Sequence, residues 1–235
     1  MENEQARSQI AISHAVQDYL KAIYKLENGY ASNGNVNTTH LSETLSVSAA
    51  SATGMVKKLS EMKLLAYTPY KGFALTGDGR KIALEVIRHH RLLERYLADT
   101  LGYSWDEVDA EAERLEHVIS EEFEDRIDRV LGFPTTDPHG DPIPTKDGNI
   151  ENHETERLSE VEAGKKVVIR QVSDDSAEML RYMDGLGLRP SATIEIRDRA
   201  PFNGPMLVYV NDAGEHSLGL EVAGHIYVSE VEEAA

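Results

Sequence analysis

Residues 38–76, TTHLSETLSVSAASATGMVKKLSEMKLLAYTPYKGFALT, predict the architecture of the first part of this chain. TTHLSETL is typical of a short helix, SVS of a turn, and AASATGMVKKLSEMKLL of a second helix. AYTPYKGFALT then predicts two short strands around Tyr70–Gly72. A further helix is expected over residues 14–28, capped by Ser13. Helix, short helix, turn, helix and hairpin is the order of a winged helix-turn-helix.

The second helix of this predicted unit has side chains suited to a nucleic acid surface. It begins with small, hydrogen-bonding residues that allow a helix to approach base edges and phosphates closely. Lysines on the helix and at the hairpin can neutralise phosphates. The residues predicted to face DNA are Thr39, Ser48, Ala50, Ser51, Thr53, Gly54, Lys57, Lys58 and Lys71. The alternative is a winged helix that serves protein interaction without binding DNA.

Charge is divided unevenly along the chain. The 235 residues carry a formal net charge of −17, which by itself disfavours binding to phosphates. Residues 1–80 hold eight Lys and Arg against seven Asp and Glu, net +1, whereas the rest hold 16 against 34, net −18. The acidity therefore belongs to the later segments, and the first domain can still carry a basic face.

The absence of cysteine restricts the chemistry of any site. Disulfides, thiolate zinc sites and a cysteine nucleophile are excluded, so a metal must be held by oxygen and nitrogen ligands. No run approaches the roughly 18 apolar residues that a membrane span needs, and the polar start MENEQARSQ lacks a signal-peptide core. We therefore expect a cytoplasmic protein without a membrane partner.

Two long helices are expected next, followed by a change to strands. The first covers residues 76–101, and the second runs from a capping box of Ser104 and Glu107 to about Leu131. Four prolines in residues 132–149 end the helical pattern. Beyond this segment KKVVIRQV, ATIEIRD, MLVYVND and LEVAGHIYVSEV read as strands, with one helix near residues 175–185.

Carboxylates and histidines gather on the two long helices. On a helical wheel Glu113, Glu116 and His117 border the apolar stripe instead of opposing it, so partial burial is expected. Neighbouring carboxylates beside apolar surface repel each other unless a cation lies between them. His90 and Glu94 share a face of the preceding helix and can add ligands. The plainer interpretation is a solvated acidic stripe, and a third is general acid–base catalysis in a hydrolase. We expect no enzyme, since the chain lacks a glycine-rich phosphate loop and a nucleophile elbow.

In these segments the chain resembles the diphtheria toxin repressor family of metal-dependent transcriptional regulators. The residues that carry the resemblance are DYLKAIYKLE (18–27), HHRLLERYL (89–97), EAERLEHVISEEFEDRI (111–127) and DPHGDPIP (137–144). The later stretch LRYMDGLGLRPSATIEI (180–196) is similar to the SH3-like domain that many members carry.

The resemblance implies a mainly α protein and a metal-activated repressor of metal-uptake genes. The implied domains are a winged helix-turn-helix DNA-binding domain (1–76), a helical metal-binding and dimerisation domain (77–150), a linker (151–158) and a small SH3-like (FeoA-like) β-barrel (159–235). The implied partners are a second copy, forming a homodimer, and double-stranded palindromic operator DNA.

The resemblance also implies metal ligands, with residues for two sites per chain. The regulatory set is Asp18, Glu113, Glu116 and His117. The second set is His90, Glu94, Asp109 and, from the SH3-like domain, Asp174. The iron branch of the family has methionine and cysteine in place of Asp18 and Glu113, whereas the manganese branch has aspartate and glutamate. These hard oxygens favour Mn²⁺, with Fe²⁺ as the alternative.

The chain departs from the family pattern at three positions. Lys21 stands where the manganese branch has a further glutamate, and Asp109 stands where the iron branch has a histidine. Ala177 occupies the position of a second ligand from the SH3-like domain and cannot bind a metal.

Overall fold

The computed structural model describes residues 12–28, 36–68, 72–151, 154–211 and 213–231. The helices are α1 His14–Asn28, α2 Thr38–Thr44, α3 Ala49–Glu61, α4 Gly77–Leu101, α5 Val108–Leu115, α6 Glu121–Val130, α7 Ala177–Gly185 and α8 Leu220–Ala223. The strands are β1 Leu65–Thr68, β2 Gly72–Leu75, β3 Glu156–Arg157, β4 Lys166–Val172, β5 Thr193–Arg199, β6 Met206–Val210, β7 Gly214–Leu218 and β8 Ile226–Glu230. The chain divides into two compact units, one up to residue 88 with 146–148, the other from 89 to 145 with 149 onward.

The core of the first unit is built by the helices predicted for the winged helix-turn-helix. Leu20 and Ile23 of α1 pack with Leu41 of α2 and Leu59 of α3, and all four are fully buried. Burying each such side chain contributes about 1.5–3 kcal/mol. Asn37 caps α2 by accepting hydrogen bonds from the Thr39 and His40 amides, which fixes where the short helix begins.

The helix α3 is shorter than its sequence pattern predicts. The prediction extended it through Leu65, but α3 ends at Glu61. Lys63 then takes a left-handed conformation with φ of 61°, and this reverses the chain. Leu65 thereby enters β1 and pairs with Leu75 of β2. The apolar pair Leu64 and Leu65 belongs to the sheet and its core, which a helical period cannot distinguish from a last helical turn.

The hairpin β1–β2 forms the wing, and it lies close to the segment that precedes α2. Gly72 has φ of +82°, and a Cβ at this position would lie 2.3 Å from the Val36 carbonyl oxygen. Glycine is therefore required for this approach. Residues 69–71, including the predicted phosphate contact Lys71, lie outside the described residues.

The predicted single helix over residues 107–131 is wrong, because the chain forms α5 and α6 with a turn between them. Ser120 begins α6 as a separate helix. Its hydroxyl caps α6 by accepting a hydrogen bond from the Phe123 amide at 3.3 Å. Glu121 and Glu122 in the first turn complement the helix dipole there. The predicted capping box is also wrong: the Ser104 hydroxyl bonds the Glu107 carboxylate at 2.7 Å, and Glu107 makes no side-chain cap.

The last part of the chain is a small β-sheet domain. Its six antiparallel strands lie in the order β3-β8-β4-β5-β6-β7. Met206, Val208 and Val210 of β6 alternate into the core, as a half-buried strand requires. The predicted strand over residues 220–231 is wrong in its first half, which forms α8 before β8. Strand β7 was not predicted, and Glu156 and Arg157, assigned to the linker, pair with β8.

Trp105, from the segment between α4 and α5, is buried in the core of this β-sheet domain. Among the described residues, more lie in helices than in strands. None of the helices in the described ranges is both long enough and apolar enough to span a membrane.

Candidate metal centre

His90 of α4 is buried among four carboxylates, and we call these five residues the His90 cluster. Its Nδ1 lies 2.5 Å from Glu116 Oε2 and 3.7 Å from Glu113 Oε2. Its Nε2 lies 3.3 Å from Asp109 Oδ1 and 3.5 Å from Glu94 Oε1. The imidazole thus has one carboxylate pair on each side.

The electrostatics of the His90 cluster favour a bound cation. Burial lowers the pKa of His90, but the neighbouring carboxylates of Asp109, Glu116 and Glu94 outweigh burial and hold that pKa well above its usual 6.5. A proton on the ring offsets part of the negative charge of the surrounding carboxylates. A divalent ion would offset more of it, with carboxylate and imidazole groups as its ligands.

The turn after α5 places Glu116 and His117. Glu116 follows the last residue of the helix and is 1% exposed. One carboxylate oxygen, Oε2, faces His90, while the other, Oε1, lies 3.5 Å from His117 Nε2. His89 fixes this turn from α4, since its Nδ1 lies 3.0 Å from the Glu116 carbonyl and its Nε2 lies 3.4 Å from Glu124 Oε2. Glu116 is therefore a buried carboxylate between two imidazoles.

The predicted ligands of the two helices meet in this region. Glu113, Glu116 and His117 of the regulatory set lie beside His90, Glu94 and Asp109 of the second set. Glu113 and Asp109 keep about half of their side-chain surface exposed, at 52% and 53%. Asp18 lies on α1 in the first unit and is partly buried. Its role as the fourth regulatory ligand remains a prediction from the family resemblance.

A second group lies in the same unit, and we call it the His139 cluster: Glu94, Asp137 and His139, all buried. His139 Nε2 lies 2.7 Å from the Trp105 carbonyl oxygen. A carbonyl can only accept, so Nε2 carries the hydrogen and Nδ1 presents a lone pair. A backbone carbonyl behind the ring is the usual orienting partner of a metal-ligating histidine.

The lone pair of His139 faces another acceptor. His139 Nδ1 lies 3.6 Å from Glu94 Oε1. Among the described residues neither atom has a hydrogen-bond partner, although both are buried. Two buried acceptors that face each other are unfavourable unless a proton or a cation lies between them. The residues of the His139 cluster therefore fit a divalent metal.

Asp137 completes the His139 cluster and is held by the loop that contains it. Its Oδ1 accepts from the His139 amide at 2.8 Å and from the Asp141 amide at 3.0 Å. Arg91 supports the loop by donating to Asp141 Oδ1 and to the Pro142 carbonyl, each at 2.6 Å. Burial, and then the charges of Asp141 and Glu94, raise the pKa of Asp137 well above its usual value. A carboxyl in this position is therefore stable as the anion only when a cation lies close to it.

The β-sheet domain adds a carboxylate to this region. Asp174, in the segment after β4, has an oxygen within 4.8 Å of ligand atoms of Glu94 and Asp109. Ala177 begins α7 and offers no ligand, and Asp175 accepts from the Ser173 hydroxyl at 2.5 Å. The predicted ligand Asp174 is therefore close to two other predicted ligands.

Asp137 and His139 were not predicted as ligands. They lie in DPHGDPIP, where an acidic residue and a histidine two positions apart follow neither a helical nor a strand period. Their place opposite Glu94 depends on contacts across more than 40 residues of chain. The only local signal was the presence of both ligand types in a proline-rich stretch.

The residues predicted to face DNA are surface residues of α2, α3 and the cap between them. Ser48 caps α3 by accepting from the Ser51 amide. The exposed members of the set are Thr39, Ser48, Ala50, Ser51, Thr53, Gly54, Lys57 and Lys58. Lys57 lies 3.9 Å from Glu61 in a solvent-exposed pair, which leaves its charge available to solvent. This face of α3 is polar and carries only short side chains near its N-terminus.

Three segments of the chain match known protein families. Residues 11–73 match "Iron dependent repressor, N-terminal DNA binding domain", residues 76–145 match "Iron dependent repressor, metal binding and dimerisation domain", and residues 156–230 match the FeoA domain. The iron-dependent repressor IdeR of Mycobacterium leprae is 34% identical over 190 residues, covering 76% of this chain and 81% of that protein. The regulator MntR of Geobacillus kaustophilus is 37% identical over 121 residues, covering 51% of this chain and 82% of that protein.

Solved structures give the same relationship. A manganese-dependent transcriptional repressor in complex with manganese has 38% identity and a TM-score of 0.84, covering 92% of this chain and 100% of that chain. ScaR with bound Cd²⁺ has 32% identity and a TM-score of 0.75, covering 92% of this chain and 99% of that chain.

Proposed function

This chain belongs to the diphtheria toxin repressor family of metal-dependent, DNA-binding transcriptional repressors, and we propose that manganese activates it to bind a palindromic operator as a homodimer. The observation that carries the proposal is Glu116, a buried carboxylate whose two oxygens face the imidazoles of His90 and His117. Such a group is stable in the interior when a cation accompanies it.

The proposed regulatory ligands are Glu113, Glu116, His117 and Asp18. A bound ion supplies the positive charge that the neighbouring carboxylates require. Asp18 is part of α1, at the start of the DNA-binding segment, whereas the other ligands belong to the metal-binding and dimerisation segment. Metal binding and DNA binding therefore favour the same conformation, and each is expected to tighten the other.

The proposed second site is held by Glu94, Asp137 and His139, with Asp109 and Asp174 close by. His90 has one nitrogen on the side of Glu116 and the other on the side of Glu94. It can therefore serve either site through one nitrogen without a change in ring position.

Ligand type is what favours manganese over iron. Both clusters offer only carboxylate oxygens and imidazole nitrogens, a set that suits a hard ion, and the chain has no thiolate. The solved manganese-dependent repressor supports this choice. Iron is the second candidate, since the relative from Mycobacterium leprae is named as iron-dependent.

A homodimer is supported by apolar surface on the segment matched to the dimerisation domain. Leu101, Val118 and Val130 are 55%, 64% and 67% exposed in the single chain. A concentration of exposed large apolar residues is typical of a protein interface. Two identical DNA-binding domains related by a two-fold axis require a palindromic DNA site.

The proposed domain limits are 1–76 for the winged helix, 77–150 for the metal-binding and dimerisation domain, 151–158 for the linker and 159–235 for the SH3-like domain. The three family matches, 11–73, 76–145 and 156–230, support this division.

The test is selection of a DNA sequence from a random library in the presence of Mn²⁺, followed by gel retardation. Metal-free protein, Mn²⁺ and anaerobic Fe²⁺ are compared at matched free metal. We expect a palindrome and retardation that needs metal, with Mn²⁺ the stronger activator. Equal retardation without metal would instead support a metal-independent winged-helix module.

A further inference from the structure

His89 of α4 and Glu124 of α6 meet beside the turn that carries the proposed metal ligands Glu116 and His117. The side chains of this histidine and glutamate are 12% and 6% exposed, and His89 Nε2 lies 3.4 Å from Glu124 Oε2. His89 Nδ1 lies 3.0 Å from the Glu116 carbonyl oxygen. A carbonyl oxygen can only accept, so Nδ1 carries the hydrogen and donates it. The imidazole therefore connects α6 to the backbone of the turn.

The Glu116 carbonyl lies at the end of α5, where a helix leaves its last carbonyl groups without partners inside the helix. Glu116 follows Leu115, the last residue of α5, and its amide donates to the Ala112 carbonyl at 2.9 Å. Its own carbonyl accepts from His89, which belongs to a different helix. Because both backbone groups of Glu116 are held, the direction in which its side chain leaves the backbone is fixed.

Glu124 is the polar member of the buried face of α6. Three residues later on this face, Ile127 is 2% exposed and belongs to the same apolar core as Leu92 and Leu93 of α4. A carboxylate costs free energy when it leaves water, and an apolar side chain of similar volume is often as stable at a buried position. The packing of α6 therefore does not explain a glutamate here, whereas the contact with His89 gives it a role.

We propose that His89 and Glu124 are positioning residues of the regulatory metal site, which hold the turn so that the side chains of Glu116 and His117 face one ion. This inference rests on the proposed function, because it concerns how that site is assembled. His89 acts through the Glu116 backbone, and Glu124 acts through His89. Groups that orient metal ligands in this way typically change metal affinity by about 10- to 100-fold.

The test is a double-mutant cycle of His89→Leu and Glu124→Met in the full-length chain, with the Mn²⁺ dissociation constant measured by calorimetry. Leucine cannot donate to the Glu116 carbonyl, so His89→Leu should weaken Mn²⁺ binding by at least about tenfold. Glu124→Met should weaken it by a smaller factor, because the imidazole keeps its contact with the carbonyl. In the double variant Glu124→Met should add no further loss, since its effect passes through the imidazole.

Two further measurements separate positioning from a loss of stability. The double variant replaces a buried polar pair with apolar side chains, so its melting temperature should stay near that of the parent even if a single variant does not fold. His89→Asn places an amide N–H near the position of Nδ1 and should recover part of the Mn²⁺ affinity that His89→Leu loses. His40→Leu and Glu122→Met, at exposed positions of α2 and α6, are the matched controls and should leave Mn²⁺ affinity unchanged.

The outcomes distinguish this inference from the proposed function. If the parent does not bind Mn²⁺, both are overturned. If the parent binds Mn²⁺ and the folded double variant binds it equally well, only the role of the pair is overturned. Losses that add in the double variant, or a double variant that does not fold, would also overturn that role alone. A folded double variant that loses no more affinity than His89→Leu, with recovery in His89→Asn, supports it.

Discussion

Glu116 is the residue whose surroundings point most directly to a metal site. Its carboxylate is buried, and its two oxygens lie 2.5 and 3.5 Å from two imidazoles. An imidazole has one nitrogen lone pair when neutral and can turn it to a metal. The same arrangement that is costly without a cation becomes a ligand set with one.

Glu116→Gln is expected to abolish manganese-dependent DNA binding while the dimer stays folded. The amide keeps the shape of the side chain and removes the charge that the ion requires. Gel retardation and calorimetric Mn²⁺ titration measure the loss. Changes to the groups around metal ligands typically cost about 10- to 100-fold in metal affinity, so the loss of a ligand is expected to cost at least about tenfold. Glu122→Gln on the exposed face of α6 is the matched control, since Glu122 only pairs with Arg126 in solvent. Full manganese activation of a folded Glu116→Gln protein would refute the site.

Trp105, the single tryptophan, is a natural reporter of the His139 cluster. Its ring stacks on His139 with centroids 5.7 Å apart, and its carbonyl accepts the His139 N–H. Mn²⁺ binding should therefore change tryptophan emission. Asp137→Asn should lose this change, because it removes the charge of a proposed ligand without touching the ring. Glu116→Gln should retain it, and an unchanged emission response in Asp137→Asn would contradict the proposed second site.

At the scale of elements, the helices up to α6 show what a helical pattern can and cannot predict. The apolar period correctly predicted α1, α2 and α4, because each buries one face of a continuous helix. The break between α5 and α6 was missed, since the capping contact of Ser120 competes locally with an otherwise favourable helical sequence. The break matters, because Glu116 and His117 lie in the turn that it creates.

The candidate site was predictable to the extent that its ligands share one helix or neighbouring helices. Glu113, Glu116 and His117 were found from their spacing, and His90 and Glu94 from theirs. Asp137 and His139 were not, because their approach to Glu94 is fixed by a loop that Arg91 anchors to α4. Sequence spacing carries no information about such long-range loop contacts.

The helix α3 is the element predicted to read DNA, and its lysines test that role. Lys58→Ala should weaken binding to operator and to non-operator DNA by a similar factor. It should also lower the slope of log affinity against log salt concentration by about one. Lys166→Ala, an exposed lysine of β4, is the matched control and should leave both unchanged. Fluorescence anisotropy across salt concentrations gives both values. An unaltered slope with intact affinity would mean that this part of α3 does not face phosphate.

At the scale of the molecule, α6 carries part of the apolar surface proposed for the dimer. Phe123 and Val130 are 43% and 67% exposed and lie seven residues apart, on the same face. Val130→Glu should shift the protein toward monomer, because a charge is costly in a buried interface. Sedimentation velocity measures the shift, and Phe202→Glu in the β-sheet domain, at a fully exposed position, is the control. A dimer unaffected by Val130→Glu would exclude this face of α6 from the interface.

Manganese and operator DNA are proposed to stabilise the same state of the protein. Reciprocity then requires that DNA tighten manganese binding by the factor with which manganese tightens DNA binding. The direct measurement is the Mn²⁺ dissociation constant of the full-length protein with and without a saturating concentration of the selected operator duplex. We expect the Mn²⁺ dissociation constant to be lower with operator, by about 5- to 150-fold, the usual range of such coupling. In the Glu116→Gln variant, operator should leave the Mn²⁺ dissociation constant unchanged. For the parent protein, an equal Mn²⁺ affinity with and without operator would contradict the proposal.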